Sequence, residues 1–206
     1  MNNKKAVILI HGIWMKGPEL IYLRFKLWQQ GYRLYQFHYS SLFKTPEQNA
    51  ETLYAFVNEI SEPVVHFVAH SLGGVVATHF FNKYEYHKNG KVVFIGTPIN
   101  GSALARHLHK NRFLKYLLGK SVIKGLTDKT PTWHSKRKLC VIAGTKKLGI
   151  GMLLARKEMQ LQNDGTVNLD ETRVAQADEF HVVPHSHFSM LWSSDVAEKI
   201  KVFLAK

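Results

Sequence analysis

The strongest constraint on the fold of this chain is a set of six short apolar runs separated by segments with helical patterning. The runs are KAVILIHG, YRLYQFHY, VVHFVAH, KVVFIGTP, KLCVIAG and EFHVVPH. A short run rich in β-branched residues and bounded by charged residues or glycine is typical of a parallel strand covered on both faces. Strands that alternate with helices predict an α/β domain with about six strands in a mostly parallel sheet and helices on both of its faces.

Local signals place the predicted helices between these runs. Thr45, Pro46 and Gln48 form an N-cap, a proline at the first helical position and a capping-box glutamine. Gly31 is suited to a left-handed helix cap. Three of the predicted helices cover residues 18–30, 46–59 and 194–205. A further, largely buried helix is predicted after Ser71, and it carries Val75, Val76, Phe80 and Phe81.

Length and composition predict one domain over residues 1–206. The chain has 206 residues, of which 45% are hydrophobic, enough for one sizeable core. The apolar stretch near the amino terminus breaks at His11, too early for a signal peptide, and no window has the apolar length of a membrane span. Cys140 is the only cysteine and lies in an apolar run, so we expect a buried thiol and a cytoplasmic protein.

The segment VAHSLGG, residues 68–74, places a serine directly after the third predicted strand. In such a sheet the carboxyl ends of the strands face the ligand crevice. A serine on a sharp turn from strand to helix needs small residues two positions before and after it, here Ala69 and Gly73. The pattern predicts a nucleophile at Ser71, with alanine in the first glycine position of G-x-S-x-G. The alternative is a loop serine beside packing glycines.

A serine nucleophile needs a base within hydrogen-bond reach, and that base needs an orienting acid. The order expected on this fold is serine, acid, histidine. Asp164 follows the fifth strand in QNDGTVN, with Asp170 and Glu171 as reserves. His185 and His187 follow the sixth strand. We predict Asp164 and His187, because His187 immediately precedes the loop that enters the last helix.

The segment LIHGIW, at the end of the first strand, predicts an oxyanion hole. A His-Gly turn lets the next amide face the crevice, so the expected donors are the N–H groups of Ile13 and Leu72. We expect His11 to support this turn by a hydrogen bond. The alternative for His11 is a histidine that merely ends the strand.

A metal or cofactor is not expected. His181, His185 and His187 with Asp178 and Glu179 could be interpreted as a ligand cluster. No H-E-x-x-H motif is present, and strand alternation turns His181 away from at least one of the other two histidines. The chain also lacks the G-x-G-x-x-G and Walker patterns of nucleotide binding.

The net charge of +13 is unevenly distributed. Residues 106–157 hold fourteen Lys and Arg against one acid, Asp128, and the remainder is balanced. The segment 100–135 is long for a crossover, contains RFLKYLLGKSVIKGL, and is a candidate cap that breaks near Asn111. With KKLGIGMLLARK it could form a basic, apolar rim that docks on an anionic membrane surface. The alternative is a crossover helix with solvated lysines.

A different class of function would use residues 106–157, which we call the basic quarter of the chain, to bind a partner without catalysis. A polyanion-binding module is expected to interleave aromatic residues with its bases. This stretch has only Phe113, Tyr116 and Trp133. Nucleic acid is therefore not the expected partner.

Taken together, the motifs resemble the α/β-hydrolases, in particular the group of small bacterial esterases and lipases, and also the catalytic domain of GPI inositol-deacylases. The segments that carry the resemblance are VILIHGIWMKG, FHYSS, PVVHFVAHSLGGVVA, GTPINGSALA, NDGTV and SHFSMLWS. The resemblance implies a minimal α/β-hydrolase fold without the strands that precede the first run in larger members. It also implies hydrolysis of acyl or lipid esters by Ser71, Asp164 and His187, although thioesterases, amidases and acyltransferases use the same triad.

Overall fold

The computed structural model describes residues 5–113, 115, 118–127 and 130–206. Its sheet has six strands in the order β2-β1-β3-β4-β5-β6, and every neighbouring pair is parallel. The strands are β1 Lys5–Ile10, β2 Arg33–Phe37, β3 Val64–His70, β4 Val92–Ile95, β5 Leu139–Gly144 and β6 Glu179–Val183. The predicted α/β architecture is confirmed, with a sheet that is wholly rather than mostly parallel.

Two layers of helices cover the sheet because its central strands are apolar on both faces. Alternate residues of β1 contribute to opposite core clusters: Ile8 packs toward α2 and α3, and Leu9 packs toward α1 and α7. The helices are α1 Ile21–Trp28, α2 Pro46–Asn58, α3 Leu72–Lys83, α4 Ala103–Lys110, α5 Gly119–Val122, α6 Ile150–Leu154 and α7 Ser194–Ala205. Cys140 is completely buried in β5, as expected.

The predicted helix boundaries are mostly confirmed. The side chain of Thr45 accepts a hydrogen bond from the Gln48 amide at 3.3 Å, and the side chain of Gln48 accepts one from the Thr45 amide at 3.0 Å. The first helix is shorter than predicted, because residues 18–20 form a 3-10 turn and α1 ends at Trp28. Gly31, with φ +81°, lies in the turn that follows.

The segment predicted as a cap contains α4, α5 and a π-helical turn at Ile123–Thr127. Asn111 ends α4, as predicted. Apolar residues of this segment form a cluster with Leu72 and Val75, at the start of α3. Leu114, Tyr116, Leu117, Asp128 and Lys129 belong to the predicted segment but lie outside the described residues. A role as a cap stays a prediction.

The basic quarter of the sequence does not form one patch. Lys136 and Lys138 precede β5 at the amino-terminal edge of the sheet, whereas Lys146 and Lys147 follow β5 at the carboxyl-terminal edge. A parallel strand therefore separates bases that are close in sequence. Within the described ranges, the helices are all too short or too polar to cross a membrane.

Candidate active site

Ser71 lies at the carboxyl end of β3 and caps the amino terminus of α3. Its backbone has φ 52° and ψ −125°, a conformation that residues other than glycine rarely adopt. Such a residue costs about 1–3 kcal/mol and persists only where its surroundings fix it. The Ser71 amide donates a hydrogen bond to the Ile95 carbonyl at 2.9 Å, which ties the turn to β4.

The small residues around Ser71 are required by close backbone contacts. A Cβ atom on Gly73 would lie 2.6 Å from the carbonyl oxygen of His11, too close for any side chain. A Cβ atom on Gly74 would collide with the side chain of Thr97. Ala69 is fully buried, and its single methyl group is accommodated in the apolar core. The sharp turn that the sequence predicts is therefore built from the residues that the motif contains.

Asp164 and His187 are hydrogen-bonded to each other. The Nδ1 atom of His187 donates to Oδ2 of Asp164 at 2.7 Å, and the His187 amide donates to the Asp164 carbonyl at 2.9 Å. The other carboxylate oxygen accepts from the amides of Thr166 and Val167 at 2.9 and 2.7 Å. These bonds fix the carboxylate and the imidazole ring, and leave Nε2 of His187 for another partner.

Ser71 and His187 line the same pocket, which has a volume of about 230 Å³. The predicted serine, acid and base, which are up to 116 positions apart in the chain, are therefore brought to one site. The apolar side chains around this pocket are Ile13, Trp14, Met15, Leu148, Ile150 and Phe188.

The residues that carry the two predicted oxyanion donors are both near Ser71, since Leu72 follows it in the chain and Ile13 lines the same pocket. Leu72 is the first residue of α3, where an amide has no acceptor inside the helix, and Ile13 lines the pocket. In the described part of the chain, neither amide hydrogen-bonds to another backbone group outside regular helices and strands. The loop after Ile13 is shaped by Trp14, which has φ 60° and donates its amide to the Ser41 hydroxyl at 3.3 Å.

His11 directly precedes this loop, is buried, and does not line the pocket. Its Nδ1 donates to the Gly12 carbonyl at 2.8 Å, and its ring stacks on Tyr39 with centroids 4.4 Å apart. The Tyr39 hydroxyl in turn donates to the His11 carbonyl at 2.8 Å. Burial lowers the pKa of His11, so the ring is neutral near pH 7. This arrangement supports the predicted positioning role.

The alternative acids and base have other partners. The Nε2 atom of His185 lies 2.8 Å from the Ser193 hydroxyl. Asp170 pairs with Arg173 on the surface. The carboxylate of Glu171 accepts from the backbone amides of Ala103 and Asn168 at 2.5 and 2.9 Å, so it fixes the start of α4 instead of facing His187.

Two residues that contact His187 were not identified from the sequence. His70 donates from Nε2 to the His187 carbonyl at 3.1 Å, and the two rings lie 4.6 Å apart. Burial, followed by the nearby His187, lowers the pKa of His70 well below its usual value. Gly96, with φ +55°, leaves room for the His187 ring, because a Cβ atom there would lie 2.9 Å from Nδ1. The G-T-P turn after β4 was the available signal for Gly96.

The residues considered as a metal cluster are dispersed. His187 binds Asp164, His185 contacts Ser193, and Asp178 accepts the Leu139 amide at 2.8 Å. Among the described residues, the atoms of Cys140, Glu179 and His181 form one group within 4.8 Å of one another. Burial raises the pKa of the Cys140 thiol to about 12, which disfavours the thiolate that a metal needs. Glu179 is also paired with Lys206 and His181.

Solved structures with the same fold include bacterial lipases, esterases and a thioesterase. The mature lipase BlEst2 of Bacillus licheniformis has a TM-score of 0.73 and 20% identity, with 100% of this chain and 92% of that chain covered. The esterase EaEST of Exiguobacterium antarcticum has a TM-score of 0.70 and 13% identity, with 98% of this chain and 92% of that chain covered. The thioesterase RedJ of Streptomyces coelicolor has a TM-score of 0.65 and 8% identity, with 99% of this chain and 86% of that chain covered.

These likenesses confirm the predicted α/β-hydrolase fold and the resemblance to bacterial esterases and lipases. The resemblance to GPI inositol-deacylases stays a prediction. No curated protein matches the chain significantly. A family model described as "Domain of unknown function (DUF7379)" matches residues 2–146, a range that includes Ser71 but ends before Asp164 and His187. The chain therefore belongs to the DUF7379 family, and its fold is that of an α/β-hydrolase.

Proposed function

We propose that the protein is a serine hydrolase that cleaves carboxylic esters of acyl or lipid substrates without a metal or cofactor. The observation that carries this proposal is the pair formed by Asp164 and His187, whose ring lines the same pocket as Ser71. A serine held in a strained turn, a histidine oriented by a buried carboxylate and nearby backbone amides are the groups that acyl transfer requires.

The reaction proceeds through an acyl-enzyme. The Ser71 hydroxyl attacks the ester carbonyl while Nε2 of His187 takes its proton, and the amides of Ile13 and Leu72 bind the oxyanion. The protonated His187 then gives the proton to the leaving alcohol. A water molecule that His187 deprotonates attacks the acyl-enzyme, and the protonated His187 returns this proton to the Oγ atom of Ser71 as the acid leaves. Asp164 holds the imidazole in the tautomer that leaves Nε2 able to accept the proton of Ser71.

The size of the pocket predicts a preference for short acyl chains. Its volume of about 230 Å³ is below the roughly 300–1,000 Å³ of sites for drug-sized ligands, and its walls are largely apolar. Among p-nitrophenyl esters from acetate to palmitate, we expect the highest kcat/KM for butyrate or a neighbouring chain length. Palmitate is expected to be at least about tenfold slower, because one methylene group that a hydrophobic pocket does not fit changes the discrimination by about 1–3 kcal/mol.

Variants test whether this pocket determines the preferred length of the acyl chain. Ile150→Phe narrows the pocket and should shift the optimum toward acetate. Leu161→Phe is the matched control, since Leu161 is exposed and does not line the pocket. The assignment of this pocket to the acyl chain would be contradicted if Ile150→Phe had the same preferred chain length as Leu161→Phe and the wild type. It would also be contradicted if the wild type preferred palmitate.

We also propose peripheral contact with an anionic membrane surface. Leu148 is 65% exposed and lines the pocket with Trp14 and Phe188, which are 46% and 51% exposed. Lys146 and Lys147 directly precede Leu148 and are exposed. Apolar side chains at the pocket mouth beside lysines favour contact with a lipid surface. Of the aromatic residues available for the rival polyanion module, Trp133 is buried against Phe81 and Phe94.

Vesicle sedimentation tests this contact. We expect more protein to sediment with vesicles of phosphatidylcholine and phosphatidylglycerol than with phosphatidylcholine alone. The double variant Lys146→Gln/Lys147→Gln should lower the partition coefficient by about tenfold or more, since each basic residue near such a surface adds roughly fivefold. The control is Lys5→Gln/Lys138→Gln, which makes the same change in net charge at exposed positions on the opposite edge of the sheet. Equal sedimentation with both vesicle types would refute the proposal.

A further inference from the structure

A second and larger cleft lies at the opposite edge of the sheet from Ser71. We call it the basal cleft, and its volume is about 960 Å³. It is bounded by Lys5 and Val64, the first residues of β1 and β3, and by Lys91 and Lys138, which directly precede β4 and β5. Ser71 directly follows the seven residues of β3, and each residue of a strand advances about 3.3 Å. The basal cleft and the candidate active site are therefore separate sites, roughly 20 Å apart.

The basal cleft concentrates positive charge. Among the described residues, seven lysine and arginine side chains line it against one acid, Glu85, which is exposed. Burial and then the neighbouring cations Lys138, Lys5 and Lys206 lower the pKa of Lys91, whereas Glu179, which pairs with Lys206, acts in the opposite direction. The cations are thus close enough to repel one another. A bound anion would relieve this repulsion.

Arg137 forms a fixed wall of the basal cleft. Its guanidinium packs against the rings of Phe81 and Tyr86, at 5.1 Å from each centroid, and donates to the Tyr86 carbonyl at 3.2 Å. In contrast, Lys5 and Lys138 have exposed side chains and form no ion pair within the described part of the chain. The cleft therefore combines a rigid wall with lysines that remain available to a ligand.

His66 adds a buried donor to the wall of the basal cleft. It is 3% exposed, and its Nδ1 accepts the Lys91 amide at 3.1 Å. Burial and then Lys5, Lys91 and Arg137 lower its pKa to about 4, so the ring is neutral near pH 7 and carries its proton on Nε2. This buried Nε2 has no hydrogen-bond partner among the described residues. Buried donors normally have an acceptor, and an anion in the cleft is a candidate to supply it.

We propose that the basal cleft binds a small soluble anion that carries phosphate groups, independently of the ester hydrolysis proposed above. The cations converge in a concave site instead of forming an extended stripe, which favours a compact ligand. Lysine ammonium groups bind phosphate oxygens through charge-assisted hydrogen bonds. A diphosphate can contact lysines that begin different strands at the same time.

Isothermal titration calorimetry with pyrophosphate, and separately with inorganic phosphate, tests this proposal. We expect one saturable binding event for pyrophosphate and weaker binding of phosphate. The double variant Lys5→Ala/Lys138→Ala should raise the Kd for pyrophosphate at least about tenfold, because each lysine that is removed takes away a charge-assisted hydrogen bond. Both lysines are exposed, so these substitutions should leave the fold intact, which circular dichroism can verify.

The control Lys16→Ala/Lys26→Ala changes the net charge equally at positions outside the basal cleft. It should bind pyrophosphate as the wild type does. Absence of saturable binding by the wild type, or the same Kd in both double variants, would overturn the proposal. Ester hydrolysis by the Lys5→Ala/Lys138→Ala variant should be unchanged, because Ser71 lies at the other edge of the sheet.

Discussion

Replacement of Ser71 by alanine is expected to lower kcat/KM for p-nitrophenyl butyrate by at least about 10⁴-fold, as removal of the nucleophile does in serine hydrolases. Ser71 is the serine that lines the candidate active-site pocket, and His187 lines the same pocket. Without the hydroxyl, no acyl-enzyme forms, and only the oxyanion donors and the binding surface remain. Steady-state hydrolysis by purified wild type and variant measures the loss.

The control for this loss is Ser61→Ala, which removes a serine hydroxyl from an exposed position after α2. It should retain the activity of the wild type. Circular dichroism and the melting temperature should show that Ser71→Ala is folded. A folded Ser71→Ala variant that keeps more than a tenth of the wild-type activity would contradict the nucleophile assignment.

Replacement of Asp164 by asparagine is expected to lower kcat/KM by about 10³ to 10⁴-fold with little change in fold. The amide can still accept from the amides of Thr166 and Val167, which now bond to the carboxylate at 2.9 and 2.7 Å. Its nitrogen donates toward Nδ1 of His187, however, and places the imidazole proton on Nε2. In that tautomer His187 cannot take the proton of Ser71.

Asp170→Asn is the matched control, because Asp170 is an exposed carboxylate six residues along the same segment and pairs with Arg173. It should have wild-type activity. Nitrogen NMR of labelled histidine reports the tautomer of His187 in Asp164→Asn, a readout that a purely structural effect would not change. Loss of activity in Asp170→Asn, or an unchanged tautomer in Asp164→Asn, would count against the role of Asp164.

The local features of the fold could be predicted from the sequence because each depends on neighbouring residues. The capping box at Thr45 and the sharp turn at Ser71 are examples, since side chains a few positions apart decide both. The positions of Asp164 and His187 could be expected from the order of residues after successive strands. The order of residues does not predict that the two side chains form a hydrogen bond. That contact depends on how the loops after β5 and β6 pack.

Contacts between distant segments were beyond the sequence. The sequence analysis gave His70 no role, yet this residue donates to the carbonyl of His187, 117 positions later. The excess of bases in residues 106–157 could be counted from the sequence, but it could not be predicted that β5 carries Lys138 and Lys146 to opposite edges of the sheet. In both cases the outcome depends on the direction of strands and the packing of loops, which local patterns do not encode.

The central claim, that Ser71 is an activated nucleophile, is tested most directly by covalent labelling. The wild type is treated with a fluorophosphonate near pH 7 and measured by intact-protein mass spectrometry, followed by peptide mapping. The account predicts one added phosphonyl group, located on Ser71, none in folded Ser71→Ala, and slower labelling of the wild type while excess butyrate ester is present. An unlabelled wild type, or a label on another residue that persists in Ser71→Ala, would contradict it.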